Sequence, residues 1–458
     1  MTKTGDFHCS DDRLNQLQSN IVWSERSNMF SIPTDCPQRE KMGWTGDIQI
    51  FAKTGCFNYD LYAFLKSWME NMALEQAKDG EIPNVVPNFP MYDLLQREDG
   101  GSNSSPGWGD AALAIPYTLY FYTGDDAILR RFYPIMEKWI AYMQKQAEQK
   151  PENYASFSEA QKERNPYLYT KGFQYGDWLI PSLSEHNENP MIGADETKPV
   201  VGSCLYALNV QLMMEISEIL GYKEKSHVYR ELLERIKNAV REEFLDENGD
   251  VHAVPYQGVY VMLLAADIPN ERQRSRVIEL LSEMIRENGN RLDAGFIAIK
   301  YLMDVLCDNG CKELAYCLLY QTEAPSWLYE VEQGATTIWE NWFAVGRTGV
   351  PLPASFNHYA YGCVGDWMYR RIGGIHCLEP GYKKILFAPD LDTAINSSSC
   401  SIDTVRGSVS CIWEKTEESV KIKVSVPCAS TAELKVYGNE ISLGSGIYSF
   451  EFDNESGR

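Results

Sequence analysis

The chain has 458 residues, 44% of them hydrophobic and 23% charged, which suits a globular protein of two or three domains. Its formal charge of −22 argues against nucleic acid and anionic membranes, since both call for a basic surface, and it leaves room for a neutral substrate. No apolar run reads as reaching the roughly 18 residues that span a bilayer, MTKTGDFHCSDD lacks an apolar leader, and the twelve cysteines show no CxxC pairs, so a cytoplasmic protein with reduced thiols is expected.

In chain order, Ser10 reads as a helix cap ahead of DDRLNQLQSNIVW, with the helix running to about Met29. Ser31 to Asp47, SIPTDCPQREKMGWTGD, follows. Pro33, Pro37, Gly43 and Gly46 mark it as a structured loop, and Asp35, Glu40 and Asp47 make it acidic around Trp44. Most Asp and Glu residues are solvated surface charge. A loop that gathers three of them beside an indole is where a sugar-cleaving enzyme would hold a proton donor. A second helix begins at Ile48 to Lys53, and Leu61, Leu65, Trp68 and Met72 share the face of a third. Residues 83–106 read as a long loop, with Trp108 just beyond it in PGWGDA.

Apolar stripes at helical spacing recur, for example Phe132, Ile135, Met136, Trp139, Ile140 and Met143, or Val277, Leu280, Leu281 and Met284. Such stripes are core. Tyr175 to Val200 and Trp327 to Thr337 read as irregular loops between them. About a dozen helices without a sequence repeat suit a closed α/α toroid whose loops meet at one end. Past Gly381 the period becomes two: Val420, Ile422, Val424 and Val426 alternate with polar residues, and Arg406-Gly407 reads as a hairpin turn. The predicted fold is therefore mainly α with a small all-β C-terminal domain, divided into 1–379 and 380–458, the two packed together near Cys377 to Lys384.

A second acidic and aromatic segment, PSWLYEVEQGATTIWENW, carries Glu330, Glu332 and Glu340 with Trp327, Trp339 and Trp342. Glycoside hydrolysis needs two carboxyl groups, one to protonate the leaving oxygen and one to assist water or attack. Indole faces suit the C–H faces of sugars. With eleven Trp in the chain most must be packing residues, yet Trp108 and Trp178 (in YGDWLIP) each sit beside an Asp and a turn-forming Gly. His358, in SFNHYAYG, serves equally well as a structural histidine or a substrate contact. Cys307 and Cys311 have no nearby histidine, and no HExxH, P-loop or serine triad order is present, so neither metal nor cofactor is expected.

DCPQREKMGWTGD, YGDWL, EQGATTIWENW and SFNHYAYGCVGDWMYR, in that order, resemble the signature segments of the bacterial α-L-rhamnosidases, glycoside hydrolase family 78. The likeness runs from FHCSDDRL into the C-terminal strands. It implies an (α/α)6 six-hairpin toroid followed by a β-sandwich, and exo-acting hydrolysis of terminal α-L-rhamnose with inversion. By motif position it implies Glu40 as general acid and Glu340 as general base; Glu332, in the same acidic stretch, is the alternative base. Asp35, Trp44, Asp47, Trp108, Trp178 and His358 match positions that line the sugar subsite. The implied partners are rhamnose-containing glycosides, with a homo-oligomer left open. Another inverting toroid glycosidase and a non-catalytic carbohydrate-binding relative are the rival readings. Members of that family usually carry β-domains ahead of the barrel, some of which contribute to sugar binding, whereas this chain begins almost at the first barrel helix.

Overall fold

The computed structural model describes residues 1–89, 103–185, 191–345 and 349–454. The helical stripes become α1 (Asp12–Asn28), α2 (Thr45–Asn58), α3 (Tyr62–Glu75), α4 (Ala111–Thr123), α5 (Ala127–Ala147), α6 (Met191–Ile219), α7 (Lys223–Phe244), α8 (Gln257–Ala265), α9 (Glu271–Glu287), α10 (Ile299–Asp308), α11 (Lys312–Tyr320) and α12 (Val364–Arg371). Shorter helices, Trp327–Glu332 among them, lie in the connections.

The even-numbered helices pack each against the next, and α12 closes back onto α2, which makes an inner ring. Sequence separates the two layers. Inner helices are buried nearly all round, as α8 shows with Gln257 to Leu264 all inaccessible. Outer helices bury one stripe, as α9 does with Val277, Leu281 and Ile285. The most apolar stretch of α6 is long enough to cross a membrane by composition, contrary to the sequence reading, but 72% of it is buried among the other helices. It is core.

Among the described residues nine strands form two sheets. Gly5–Cys9 is β1, and the C-terminal strands are β2 (Ile375–Glu379), β3 (Lys384–Phe387), β4 (Ser397–Thr404), β5 (Gly407–Lys415), β6 (Ser419–Val426), β7 (Thr431–Val436), β8 (Asn439–Leu443) and β9 (Gly446–Asp453). The orders are β1-β4-β5-β6-β9 and β2-β3-β7-β8. Val420, Ile422, Val424 and Val426 are buried on alternate positions of β6, as their pattern predicts.

Four local readings change. Helix α1 is capped by Asp11, which accepts from the Arg13 N–H, while the Ser10 hydroxyl accepts from Asn396 N–H and so ties the chain start to the sandwich. Strand β1 was hidden in FHCSDD and pairs antiparallel with β4, so the all-β layer draws on both ends of the described chain. Helix α6 begins at Met191, inside the stretch read as loop, and Trp327–Glu332 is helical under a Ser326 cap. The long loop before Trp108 falls partly on residues 90–102, outside the described residues.

The ring is closed between α10 and α12 by charge. Arg370 holds Asp304 with two nitrogens at 2.9 and 2.7 Å and Asp366 at 2.8 Å, all largely sequestered from water. Trp413 joins the sandwich to the barrel by donating from Nε1 to the Ile372 carbonyl at 2.9 Å. Replacing Arg370 with Met leaves two carboxylates without their partner and is expected to cost about 3–5 kcal/mol in urea unfolding. A change within 1 kcal/mol would show that apolar packing alone closes the ring.

Candidate active site

The acidic loop is shaped by its own backbone. Asp35 donates its N–H to the Met42 carbonyl at 2.9 Å, and its Oδ1 accepts from Met42 N–H at 2.9 Å. Lys41 turns the chain at φ 59. Gly43 then runs against Val86, whose carbonyl lies 2.0 Å from where a Cβ would stand, so only glycine fits. Helix α2 starts at Thr45, which places Asp47 in its first turn. At Gly46 a Cβ would lie 2.7 Å from the Trp108 ring, and this contact seats that indole against the helix.

All eight residues singled out from sequence line one small cavity of about 70 Å³: Asp35, Glu40, Trp44, Asp47, Trp108, Trp178, Glu340 and His358. Tyr175, Leu179 and Phe296 complete its wall. The rings pack edge to face and offset, with Tyr175 4.2 Å from Trp108, 5.9 Å from Trp178 and 6.2 Å from Trp44. Asp177 sets two of these rings. Its buried carboxylate accepts from the N–H groups of Gly295, Ile297 and Ala298, and Phe296 N–H donates to the Trp178 carbonyl. Burial pushes Asp177 up to about 6 even with those three donors pulling it down.

Glu40 and Glu340 are held differently. Trp44 Nε1 donates to Glu40 Oε2 at 2.8 Å. Burial pushes the Glu40 carboxyl above its ordinary range, and the charges of Asp35, Glu340 and Asp47 push the same way; burial is the larger cause. Glu340 Oε2 accepts from Arg39 Nη1 at 2.6 Å and from Ser355 N–H at 3.1 Å. Its loop is anchored on both sides. Glu340 N–H donates to the Ser355 carbonyl, His358 N–H to Ile338, and Trp339 N–H to the buried carboxyl of Glu330, which burial pushes far up.

His358 Nε2 lies 3.0 Å from Asp47 Oδ1, both side chains being almost inaccessible. Burial opposes the imidazolium, but the hydrogen bond and charge of Asp47, with Glu340 and Asp35 behind it, outweigh burial and hold His358 up to about 9. Burial pushes the Asp47 carboxyl above its ordinary range, while the hydrogen bond and charge of His358 pull it down. Three buried ring nitrogens here, Trp108 Nε1, Trp178 Nε1 and His358 Nδ1, have no hydrogen-bond partner among the described residues. Two of them are indole donors, which leaves hydrogen bonds for a hydroxylated ligand to complete.

The chain was compared with known proteins. The family model described as the bacterial α-L-rhamnosidase six-hairpin glycosidase domain matches residues 2–372, and that for the bacterial α-L-rhamnosidase C-terminal domain matches 374–446.

This chain belongs to the bacterial α-L-rhamnosidase family.

It is 38% identical to an α-L-rhamnosidase of Formosa agariphila over 95% of this chain and 44% of that protein. Among solved structures, the α-L-rhamnosidase of Dictyoglumus thermophilum superposes with a TM-score of 0.86 at 28% identity, covering 99% of this chain and 50% of that one. The Streptomyces avermitilis α-L-rhamnosidase, crystallised with L-rhamnose, gives 0.84 at 29% identity over 98% of this chain and 42% of its own. The chain thus spans half or less of the length of these relatives. The (α/α)6 toroid and the β-sandwich implied by the family resemblance are both present.

Three residues of the cavity wall, and the arginine that holds Glu340, escaped the sequence reading. Arg39 stands next to Glu40 in the acidic loop and Tyr175 next to GDW, so adjacency could have flagged both. Phe296 and Leu179 carry no local signal. Glu332, the alternative base, is exposed and lies outside the cavity wall. Trp342 is core, and Trp339 packs with Ala335 and Ala344 in a satellite cluster beneath the Glu340 loop.

The His358–Asp47 pair sets a pH dependence of stability. A histidine at about 9 in the fold and 6.5 when unfolded adds stability that is fully present below about pH 6.5 and is lost as pH rises through about 9. The full contribution is on the order of 3 kcal/mol. In chemical denaturation the stability of the parent relative to His358→Gln is expected to fall by that amount between pH 6 and 9.5, since the other titrating groups, Lys300 among them, are common to both. Parallel profiles would mean the ring is neutral.

Proposed function

We propose that this chain is an exo-acting, inverting α-L-rhamnosidase that cleaves terminal α-L-rhamnose from glycosides. The observation that carries this is the placement of Glu40 and Glu340 in one closed aromatic cavity, the first pushed toward its protonated form, the second gripped by a guanidinium. The Streptomyces avermitilis relative that holds L-rhamnose supports the choice of sugar.

In this reading Glu40 donates its proton to the departing glycosidic oxygen, and the Trp44 N–H steadies the carboxylate it leaves behind. Glu340 accepts a proton from a water that attacks the opposite face of the anomeric carbon. Arg39 and Ser355 both bond to its Oε2, which leaves Oε1 for that water. The transition state is oxocarbenium-like, and the carboxylates around it stabilise the growing positive charge. Asp35, Asp47, His358 and the free indole N–H groups read the sugar hydroxyls. Indole and phenyl faces take its C–H face and methyl. The small size of the cavity, about 70 Å³, supports exo action over cleavage within a chain. Twelve unpaired cysteines support a reducing, cytoplasmic setting.

Three measurements test the mechanism. Glu40→Gln is expected to lower kcat/KM by about 10²–10⁴-fold on natural glycosides and far less on nitrophenyl rhamnoside, whose leaving group needs little protonation, whereas Glu340→Gln lowers both alike. Proton NMR of the first-formed rhamnose should show the inverted anomer; the retained anomer would remove Glu340 as a base acting through water. Activity should fall as pH rises through the raised pKa of Glu40. Trp44→Phe removes a bond that favours the ionised form, so it should move that basic limb to higher pH.

A further inference from the structure

A larger cavity, about 560 Å³, lies far from the carboxylates, where the C-terminal ends of α2 and α4 meet the β-sandwich. Asp47 opens α2 in the first site and Tyr59 follows its last residue in this one, so the two are separated by about 18 Å along the helix. The seam is built by three parts of the chain. Asp60 N–H donates to the Thr2 carbonyl and Asp403 N–H to the Thr4 carbonyl, and Gly381 packs against Gly124 at the linker.

The wall chemistry narrows the ligand. Asp60, Asp125 and Asp403 line it without any lysine or arginine, so an anion is repelled. Among the described residues no group of acids, His or Cys could hold a metal ion. Leu61, Leu119, Ile402 and Val405 supply apolar surface beside the rings of Tyr62 and Tyr122. Tyr62 is fixed by donating its hydroxyl to Asp125. Tyr382, 1% exposed, forms part of the wall, and its hydroxyl has no hydrogen-bond partner among the described residues. A buried hydroxyl left alone costs about 1–3 kcal/mol, which a ligand hydroxyl would return. Carboxylates and phenols beside aliphatic and aromatic faces match a neutral molecule that is polar on its edge and apolar on its face.

We propose that this seam is a second carbohydrate site, taking one neutral pyranose. Placed at the opposite end of the barrel, it cannot extend the catalytic cavity. It holds a remote residue of a glycan, or a second glycan chain, and raises the local concentration of chain ends at the enzyme. Small aryl glycosides gain nothing from it.

The test uses the whole chain with ¹³C-labelled isoleucine and valine methyl groups, titrated separately with rhamnose, galactose, glucose and xylose. The Ile402 and Val405 methyl signals are expected to shift and saturate with at least one of the four. Tyr382→Phe, which keeps the ring, should weaken that binding about three- to tenfold, and Asp403→Asn about tenfold or more. Both variants should cleave nitrophenyl rhamnoside at the parental rate. On rhamnose-bearing polysaccharide they should show a raised KM. Sugar binding with an unchanged polysaccharide KM would overturn the polymer role and leave a site for free sugar. Methyl signals unmoved by all four sugars at concentrations that fill the catalytic cavity would overturn the site itself, and so would shifts that survive Tyr382→Phe and Asp403→Asn but vanish in Glu340→Gln. Failure of rhamnoside cleavage with the methyl shifts intact would count against the catalytic reading and not against this one.

Discussion

Four carboxyl groups, Asp35, Glu40, Asp47 and Glu340, share the wall of one small cavity, and their mutual repulsion is the constraint the rest of the site answers. Two like charges 4 Å apart repel by about 4 kcal/mol even at an effective dielectric of 20. The toroid supplies part of the answer. Pocket residues lie at or a few residues before the starts of α2, α4, α10 and α12, while Asp177 meets α8 in its first turn at Gly258 and α6 in its second at Thr197. The inner ring therefore points its N-termini at the cavity. Each such terminus favours a nearby negative charge by about 0.3–1 kcal/mol, which helps but does not balance four of them.

Among the described residues, two cations and one proton meet the remainder. His358 neutralises Asp47 and Arg39 neutralises Glu340. Asp35 and Glu40 are left, and the excess is relieved if one of them is protonated. Glu40 is the one that burial and its neighbours push up. The fold thus decides which carboxyl carries the proton without any group dedicated to that task. A site assembled this way is sensitive to every partner. Removing Arg39 would disturb Glu340 directly and, through the charge balance, Glu40 as well.

Much of this was legible in the sequence because the signals were dense. DCPQREKMGWTGD brings three of the carboxyls and an indole within thirteen residues, and the glycines that bend it are required by contacts such as Gly43 against Val86. The strands from Val420 onward alternate cleanly, since one face is buried. Where the reading failed, tertiary packing overrode local preference. Gly193 and Pro199 argue for loop, yet burial inside the ring makes the surrounding residues helical. Strand β1 is five residues long and gains its meaning only from β4, nearly four hundred residues away. Phe296 reaches the cavity because Asp177, over a hundred residues earlier, captures three backbone donors on either side of it. No window of sequence contains that fact. Glu332 and Glu340 lie in one acidic stretch, and only the geometry of the Glu330 anchor turns the second inward and leaves the first in water.

The same wall sets how selective the proposed reaction can be. Its apolar part, from Leu179 to Phe296, discriminates a methyl from a hydrogen or a hydroxymethyl only by contact, and such differences are worth about 1–3 kcal/mol. Its polar part is stricter. Indole donors, the imidazolium and buried carboxylates are already desolvated, so a sugar lacking a hydroxyl in the right place leaves them unpaired at about 1–3 kcal/mol each, more where charge is involved. Discrimination therefore falls mainly on the configuration of the ring hydroxyls and weakly on the substituent at the methyl position. Leu179 sits at φ 59, a backbone conformation that a bulky residue adopts only under constraint, and it is held there between Trp178, whose carbonyl accepts from Phe296, and the helix that starts at Pro181. A wall fixed under strain cannot relax outward at no cost to admit a larger group. Rigidity, more than chemistry, is what the apolar side contributes to choosing the sugar.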